Sequence, residues 1–279
     1  MSPFITESDL SLTEEQYLRV SNAIYNHCGI NLHDGKKTLV RARLAKRLRQ
    51  SDFRSVSEYI DFALSAEGNK EFSRLVDSIS TNLTSFFRER VHFDYLKNEF
   101  LPNLLSCGKN KIRAWSAGCS SGEEPYTLAI TLLEAVEDYG GRDIKILATD
   151  VSREILDRAR HGTYDKDKVA PLTPQQRQRY LVPNVIEGYK VYQVKNLLRN
   201  LIRFNYLNLM EQWPFSGPFD VIFCRNVMIY FDKPTQEKLI NRFYDCLKQG
   251  GLLCIGHSES LTGINHKYRY VLPATYLKP

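Results

Sequence analysis

The chain has 279 residues, enough for one large domain or two modest ones, and its 43% hydrophobic and 25% charged residues are ordinary for a globular protein. The absence of a basic start with an apolar run behind it, and of any eighteen-residue apolar run, argues against a secretion signal or a membrane span and predicts a cytoplasmic protein. Seven of the 38 basic residues lie between Lys36 and Arg49, so the net charge of +6 is a local feature of a chain whose other 31 basic residues balance 32 acidic ones.

The first hundred residues predict a set of helices. Ser11–Glu14 fits a capping box, an amphipathic run follows to Cys28, and Gly29 supplies a stop signal. A second helix is predicted from Asp34, because Val40, Leu44 and Leu48 then share one face. Further helices are predicted over 57–66, 70–80 and 88–105.

After Gly108 short apolar runs alternate with helical patterns. Strands are predicted over 111–117, 143–149, 200–206, 219–224 and 251–256, and helices over 124–138, 153–160 and 234–248. This alternation predicts an α/β domain with a mostly parallel sheet covered by helices on both faces. A cofactor would then bind at the carboxyl ends of the strands.

An irregular stretch over 164–198 interrupts this alternation. It contains a predicted short helix over 174–180 and the segment GYKVYQV, which has the composition of an exposed strand. We interpret it as a small antiparallel β-subdomain over about 180–200, inserted on the main sheet.

The stretch WSAGCSSGEEPY, which runs from Trp115 to Tyr126, joins a predicted strand to a predicted helix. Its small residues allow a tight turn close to a ligand, but Glu123 and Glu124 would repel a pyrophosphate and no GK[ST] follows. An adenosine-containing ligand with a cationic end, such as S-adenosylmethionine, suits both features. Asp150 closes the next strand, where a carboxylate can accept both ribose hydroxyls. The alternative is that these acids only cap helices.

Cysteine and histidine residues do not group into a metal-binding pattern. The six cysteines are scattered without a CxxC pair, and the six histidines are equally dispersed. Reduced thiols and the absence of a metal site are therefore predicted.

Three further segments, STNLTSFFRE from Ser80, NYLNL from Asn205 and FDVIFCRNVMIYFDK from Phe219, extend the pattern. Together with WSAGCSSGEEPY and GLLCIGHSES they resemble, in order, the CheR-type chemotaxis-receptor glutamate O-methyltransferases. The resemblance implies a receptor-docking helical domain over 1–82 and a class I (Rossmann-like) S-adenosyl-L-methionine-dependent methyltransferase domain over 83–279. In some members the β-subdomain grips a peptide at the receptor's C-terminus; LVPNVIEGYKV is short for that role, and we expect no such tether.

The resemblance also implies roles for individual residues. Arg88 and Tyr230 match catalytic positions, Arg88 orienting the incoming carboxylate. The positions implied for cofactor binding are Asn82, Thr84, Arg88, Glu124, Asp150, Asn208, Leu209, Arg225 and Asn226. Arg43, Lys46 and Arg47 match the helix that lies against the receptor; a solvated charged face or a nucleic-acid surface are the alternatives for this basic run.

Esterification of a glutamate carboxylate needs no general base, because the carboxylate is already ionised at neutral pH. Positioning and a dry pocket should therefore dominate, and Phe86, Phe87, Tyr230 and Phe231 are candidates to line it. Phe86 or Phe87 could equally be a core residue, and Arg88 could equally form a salt bridge with Glu89 or Glu99.

The expected activity is methyl transfer to glutamates of the chemoreceptor cytoplasmic helical bundle for chemotactic adaptation, with S-adenosyl-L-homocysteine as product. We expect a monomer that is recruited to membrane-bound receptor arrays without inserting into the membrane. A nucleic-acid methyltransferase is disfavoured because CRNVMIY lacks the usual [Asn/Asp]-Pro-Pro-aromatic turn, and a dinucleotide oxidoreductase by the paired glutamates. A catalytically silent docking module is disfavoured because Arg88 and Tyr230 are present.

Overall fold

A computed structural model describes residues 11–279 except 33, 81, 107, 109 and 137–140. The chain divides into two compact units. The first contains the described residues up to 80 together with Tyr230–Asp232, and the second contains the described parts of 82–229 and 233–279. Across the described residues, every helix is too short or too polar to span a bilayer.

The first unit is helical, as predicted. Its helices are α1 Glu14–Cys28, α2 Lys37–Leu48, α3 Val56–Ala63 and α4 Asn69–Ile79, and a short 3-10 turn, Asp34–Lys36, precedes α2. Val40, Leu44 and Leu48 lie fully buried along one face of α2, which confirms the periodicity read from the sequence. Burial of that apolar face is the main stabilising term for a helix otherwise dominated by basic residues.

The N-cap of helix α1 lies two residues later in the chain than the predicted capping box placed it. Thr13 rather than Ser11 is the N-cap: its Oγ1 accepts from Gln16 N at 3.2 Å, and Gln16 Oε1 accepts from Thr13 N at 3.0 Å. At the other end Gly29 has φ of 76°, the left-handed conformation that favours glycine after a helix. The sequence motif was therefore real, but its register was wrong, because two overlapping hydroxyl residues both suit a cap.

Thr13→Ala should lower the free energy of unfolding by about 1 kcal/mol, because a backbone N–H of the first turn loses its acceptor. Ser11→Ala is the matched control and should change it by less than about 0.3 kcal/mol, since Ser11 precedes the cap. Urea titrations of the two variants measure the difference. Equal losses in both would contradict the assignment of the cap to Thr13.

The second unit is built on a seven-stranded sheet of order β6-β2-β1-β7-β8-β10-β9. Its strands are β1 Lys111–Ala117, β2 Asp143–Asp150, β6 Ile202–Tyr206, β7 Phe219–Cys224, β8 Leu247–Ile255, β9 Arg269–Leu272 and β10 Thr275–Leu277. The five strands from β6 to β8 are parallel, while β10 and β9 are antiparallel additions at one edge. The predicted mostly parallel sheet is confirmed, and β9 and β10 are the strands that the prediction missed.

Helices cover both faces of this sheet. They are α5 Val91–Tyr95, α6 Leu101–Ser106, α7 Glu123–Ala135, α8 Arg153–His161, α10 Asn196–Arg199 and α11 Lys233–Cys246; a π-helical turn, Leu96–Phe100, joins α5 to α6. Successive β1 residues point to opposite cores. Ala114 packs in the cluster that contains Phe93, whereas Trp115 packs edge-on against Trp213, with ring centroids 4.8 Å apart. Burial on both faces explains why every residue of the central strand β7 is buried, whereas exposure alternates along the edge strand β6.

A second, three-stranded antiparallel sheet carries the insertion. It contains β3 Thr163–Asp165, β4 Leu181–Ile186 and β5 Tyr189–Val194 in the order β3-β5-β4, and α9 Pro174–Tyr180 precedes β4. Glu187 and Gly188 both have positive φ, the conformation of a tight hairpin turn. The sheet extends beyond the predicted 180–200. Within this sheet only β3 lies outside that range; β4 and β5 lie within it, and Pro183 is tolerated in β4 because β4 is an edge strand.

Candidate active site

The loop of small residues over 118–122, called the small-residue loop below, joins the carboxyl end of β1 to α7. The N–H groups of Gly118 and Cys119 both donate to the carbonyl of Thr149 in β2, at 2.8 and 2.9 Å. Gly118 has φ of 85°, and a Cβ there would lie 2.4 Å from Cγ2 of Val227. Glycine is therefore required at this position both by the backbone conformation and by the close approach of the segment after β7.

Asp150 lies beside this loop, at the end of β2. Its Oδ2 accepts from Ser120 N at 2.8 Å and its Oδ1 accepts from Ser152 N at 3.0 Å. Burial raises the pKa of the Asp150 carboxyl, and the backbone N–H donors oppose that rise. The carboxylate thus holds the loop in place and still presents acceptor capacity at the edge of the sheet.

The two glutamates at the start of α7 have different surroundings. Glu124 accepts from Ser116 Oγ at 2.7 Å and from Arg225 Nη1 at 3.2 Å, whereas Glu123 is completely buried and lies 3.1 Å from the Lys168 ammonium. Burial raises the pKa of Glu124, while Arg225 and Ser116 lower it. The prediction that both acids present negative charge to a ligand is therefore wrong for Glu123, because its charge is buried and paired.

Arg225 occupies the centre of an ionic cluster at the end of β7. Its side chain is only 1% exposed and pairs with Glu89 at 2.9 Å as well as with Glu124. The guanidinium also lies over the rings of Phe93 and Phe223. Arg225 is thereby shared by two partly buried carboxylates. Its ion pairs with both of them offset the free energy that the three charged groups lose when they leave water.

Glu89 is a site residue that sequence reasoning missed. Burial raises the pKa of the Glu89 carboxyl. The charge and hydrogen bonds of Arg225, together with the His257 N–H, lower this pKa by a larger amount, so the net pKa lies below its usual value. The salt bridge considered for Arg88 is not formed with Glu89. Arg88 Nη1 donates instead to the Leu83 carbonyl at 2.7 Å. FFRE contained Glu89, but nothing in the sequence showed that a cation from β7 would reach it.

Asn226 follows Arg225 in a left-handed conformation, with φ of 59°. Its N–H donates to Glu259 Oε2 at 3.0 Å, and Glu259 also accepts from the N–H groups of Gly256 and Ile229. Glu259, from the GHSES motif, was not predicted as a site residue. The Asn226 Oδ1 atom is buried, and none of the described residues hydrogen bonds to it.

Asn208 and Leu209 form the turn after β6, next to β2. The Asn208 side chain is buried, accepting from Met210 N at 3.0 Å and donating to Glu211 Oε1 at 3.1 Å. The carbonyl of Leu209 accepts from Trp213 Nε1 at 3.3 Å. Since Leu207 N donates to the Asp150 carbonyl, this turn lies beside Asp150 at the same edge of the sheet.

The remaining predicted residues are spread over both units. Ser120 Oγ donates to the carbonyl of Asn82 at 3.2 Å, and Lys168 Nζ donates to the carbonyl of Thr84 at 3.0 Å. Tyr230 belongs to the helical unit, where its carbonyl accepts from Asn31 N at 2.8 Å. Phe86, offered as a pocket or core residue, is in the core.

The three predicted docking residues on α2 differ in availability. Lys46 is exposed and Arg43 is half-buried. Arg47 is committed to an internal ion pair, in which its Nε lies 3.2 Å from Glu71 Oε1, an atom that also accepts from the Tyr59 hydroxyl at 3.1 Å. Arg47 therefore stabilises α2 against α4, and Lys46 is the most accessible of the three cations.

Although cysteine and histidine spacing predicted no metal site, the fold brings possible ligand atoms of Glu89, His92 and His257 within 4.8 Å of one another. Arg225 already bonds to Glu89, and its positive charge would oppose a second cation there. We therefore assign this cluster to the ionic network of Arg225.

His92 gives the cluster a testable pH dependence. It is fully buried, and burial together with the charge of Arg225 lowers its pKa to about 4, with Glu89 opposing that effect. Because the unfolded chain binds a proton at His92 near pH 6.5 and the folded chain does not, stability falls between about pH 6.5 and pH 4, by up to about 3 kcal/mol. Urea titrations across this range should give a shallower fall for His92→Phe; an unchanged slope would contradict the assignment.

Comparison with known proteins covers nearly the whole chain. Residues 15–80 match the family described as "CheR methyltransferase, all-alpha domain", and residues 82–276 match "CheR methyltransferase, SAM binding domain". The chain is 45% identical to a chemotaxis protein methyltransferase of Borreliella burgdorferi, over 97% of this chain and 96% of that protein. It is 38% identical to the chemotaxis protein methyltransferase of Escherichia coli, over 93% of this chain and 89% of that protein.

Proposed function

The chain belongs to the CheR methyltransferase family, with an S-adenosylmethionine-binding domain, and from this premise we propose that it methylates glutamate side chains of chemoreceptors. The products would be glutamate methyl esters and S-adenosyl-L-homocysteine, and the role would be chemotactic adaptation. The observation that carries the proposal is the similarity of both units, in order, to chemotaxis methyltransferases over almost their entire length.

The residues at the carboxyl edge of the sheet suit S-adenosyl-L-methionine. Asp150 and Glu124 flank the small-residue loop, and Asn226 adds a buried side-chain oxygen without a partner among the described residues. Such acceptors fit ribose hydroxyls and an ammonium group, whereas a phosphate would be repelled. We assign Asp150 to the ribose, Glu124 and Asn226 to the methionine end and Asn208 with Leu209 to the adenine; Asn82, Thr84, Arg88 and Arg225 complete the proposed set.

S-adenosyl-L-methionine would supply an electrophilic methyl group, to which a glutamate oxygen bonds as the carbon–sulfur bond breaks and its electron pair stays on sulfur. The protein's task is then to orient the carboxylate and exclude water. We propose that Arg88, tethered to the Leu83 carbonyl, presents its remaining N–H groups to that carboxylate. Tyr230 is the second residue that we propose as catalytic.

The helical unit would meet the acidic receptor bundle through α2. Lys46 and Arg43 are the cations proposed for this contact, because Arg47 is paired with Glu71. Electrostatic attraction between exposed groups weakens with salt, since the Debye length falls from about 10 Å at 0.1 M to about 3 Å at 1 M. Added salt should therefore raise the KM for receptor more than the KM for cofactor. This contact would bring the enzyme to receptor arrays without membrane insertion.

The decisive experiment mixes the protein and methyl-labelled S-adenosylmethionine with membranes that contain chemoreceptors. Label on the receptor band that is released by mild base is expected, because glutamate methyl esters hydrolyse readily. Membranes lacking receptors, and receptors whose methylation-region glutamates are replaced by alanine, are the controls. Base-stable label, label on nucleic acid or equal label on the alanine receptors would contradict the proposal.

A further inference from the structure

The buried carboxylate of Glu123 depends on a cation from outside its own helix. Glu123 is the first residue of α7, is completely buried, and accepts from Ser121 Oγ at 2.6 Å. Its other oxygen lies 3.1 Å from the Lys168 ammonium. A carboxylate taken out of water is costly unless it is paired, so this contact stabilises the first turn of α7 and the loop before it.

Lys168 belongs to the inserted segment, between β3 and α9. Its own N–H donates to Asp165 Oδ1 at 2.8 Å, which holds the backbone in a turn, and its side chain is 38% exposed. The same ammonium that meets Glu123 donates to the Thr84 carbonyl at 3.0 Å. One side chain thus joins the insertion to α7 and to the segment that carries Asn82, Thr84 and Arg88.

Tyr164 makes a second link between the insertion and the same loop. Its hydroxyl donates to the Ser121 carbonyl at 2.7 Å, and its ring packs edge-on against Phe86 at 5.0 Å. Gly122, with φ of 97°, leaves the space for this approach, because a Cβ there would lie 2.9 Å from the Tyr164 hydroxyl oxygen. The insertion therefore contacts the loop at Ser121 and the first residue of α7 at Glu123.

We propose that Lys168 is a positioning residue for cofactor binding, through which the small antiparallel sheet sets the geometry of the small-residue loop and of the 82–88 segment. The inference rests on the proposed function only in taking S-adenosylmethionine as the cofactor. Without the ammonium, Glu123 would draw in water or a proton and the Thr84 carbonyl would lose its donor. The small-residue loop and the 82–88 segment, which form the proposed cofactor site, would then lose their fixed positions.

Calorimetric titration with S-adenosylhomocysteine tests this without a receptor. Lys168→Met should raise the Kd by about tenfold, equivalent to a loss of about 1.4 kcal/mol in binding free energy. Lys168→Arg keeps the cation and should recover at least half of that binding free energy. The matched control is Lys166→Met, an exposed lysine of the same turn, which should bind as the wild type does. Turnover with receptor should show a higher KM for S-adenosylmethionine.

A Kd for folded Lys168→Met within about twofold of wild type would overturn the proposal. If that variant fails to fold, Lys168→Met with Glu123→Gln removes the unpaired buried charge while still lacking the bridge to Thr84. Binding by this double variant at wild-type strength would also overturn the proposal, and weakened binding would support it. Failure of receptor labelling by a wild-type protein that binds S-adenosylhomocysteine would instead overturn the proposed function alone.

Discussion

Arg225→Met is expected to lower the free energy of unfolding by about 3–5 kcal/mol and to abolish methyl transfer. The substitution removes a cation that contacts both Glu89 and Glu124, and it leaves these partly buried carboxylates to repel each other. It also removes the guanidinium that lies over Phe93 and Phe223. The cluster joins the segment after Arg88, the start of α7 and the end of β7, so its loss would disorganise three parts of the candidate site together.

Urea titration and labelled methyl transfer measure the two effects. Arg158→Met is the control for stability, because Arg158 and its partner Glu154 are about two-thirds exposed, and its loss should cost less than about 1 kcal/mol. Arg225→Lys keeps the charge but lacks the fork that spans both carboxylates, and should retain part of the stability with little activity. Near-normal stability and turnover of Arg225→Met would contradict this prediction, because the two carboxylates would then not need this cation.

Arg88→Ala should lower kcat by about 10²–10³-fold while changing the Kd for S-adenosylhomocysteine by less than about threefold. Among the described residues the Arg88 side chain makes one hydrogen bond, to the Leu83 carbonyl, and Glu89 pairs with Arg225 instead. Its loss should therefore cost little stability. The proposed contribution is made to the substrate carboxylate, and it would be visible in turnover and in the KM for receptor.

Arg90→Ala is a closely matched control. Arg90 lies two residues along the chain and also donates one hydrogen bond to a backbone carbonyl, that of Pro171 at 3.2 Å. It is exposed and stacks over Phe87. Equal losses of turnover in the two variants would indicate a general effect of the segment rather than a role for Arg88 at the substrate.

Local patterns in the sequence predicted most elements to within a few residues. The bounds of β1 and β7 were predicted correctly because each is a short, mostly apolar segment that lies between polar or turn-forming residues. Errors occurred where two local signals competed. Ser11 and Thr13 both resemble a cap, and residues 200–201, which were predicted as the start of β6, form a turn after the short helix α10.

The site was only half predictable for a related reason. Glu124, Asp150 and Arg225 stand at the ends of predicted elements, and the topology of a parallel sheet brings such ends together. Glu89, Glu259 and Lys168 carry no comparable signal. Their partners are Arg225, Asn226 and Glu123, respectively. The two residues of each pair are more than thirty positions apart in the sequence, and Glu89 and Arg225 are more than a hundred apart, so no periodicity relates them.

The division into a helical part and a mostly parallel α/β part, the tight loop after β1 and the family could all be predicted from the sequence. These follow from hydrophobic periodicity, turn chemistry and ordered motifs, which are local properties of the chain. Which charges are available to a ligand and which neutralise each other depends on the folded arrangement of the chain. Glu123 and Glu124 are neighbours in sequence, yet one is paired with Lys168 in the core and the other with Arg225 at the site, because burial and pairing depend on residues that folding alone brings within a few ångströms.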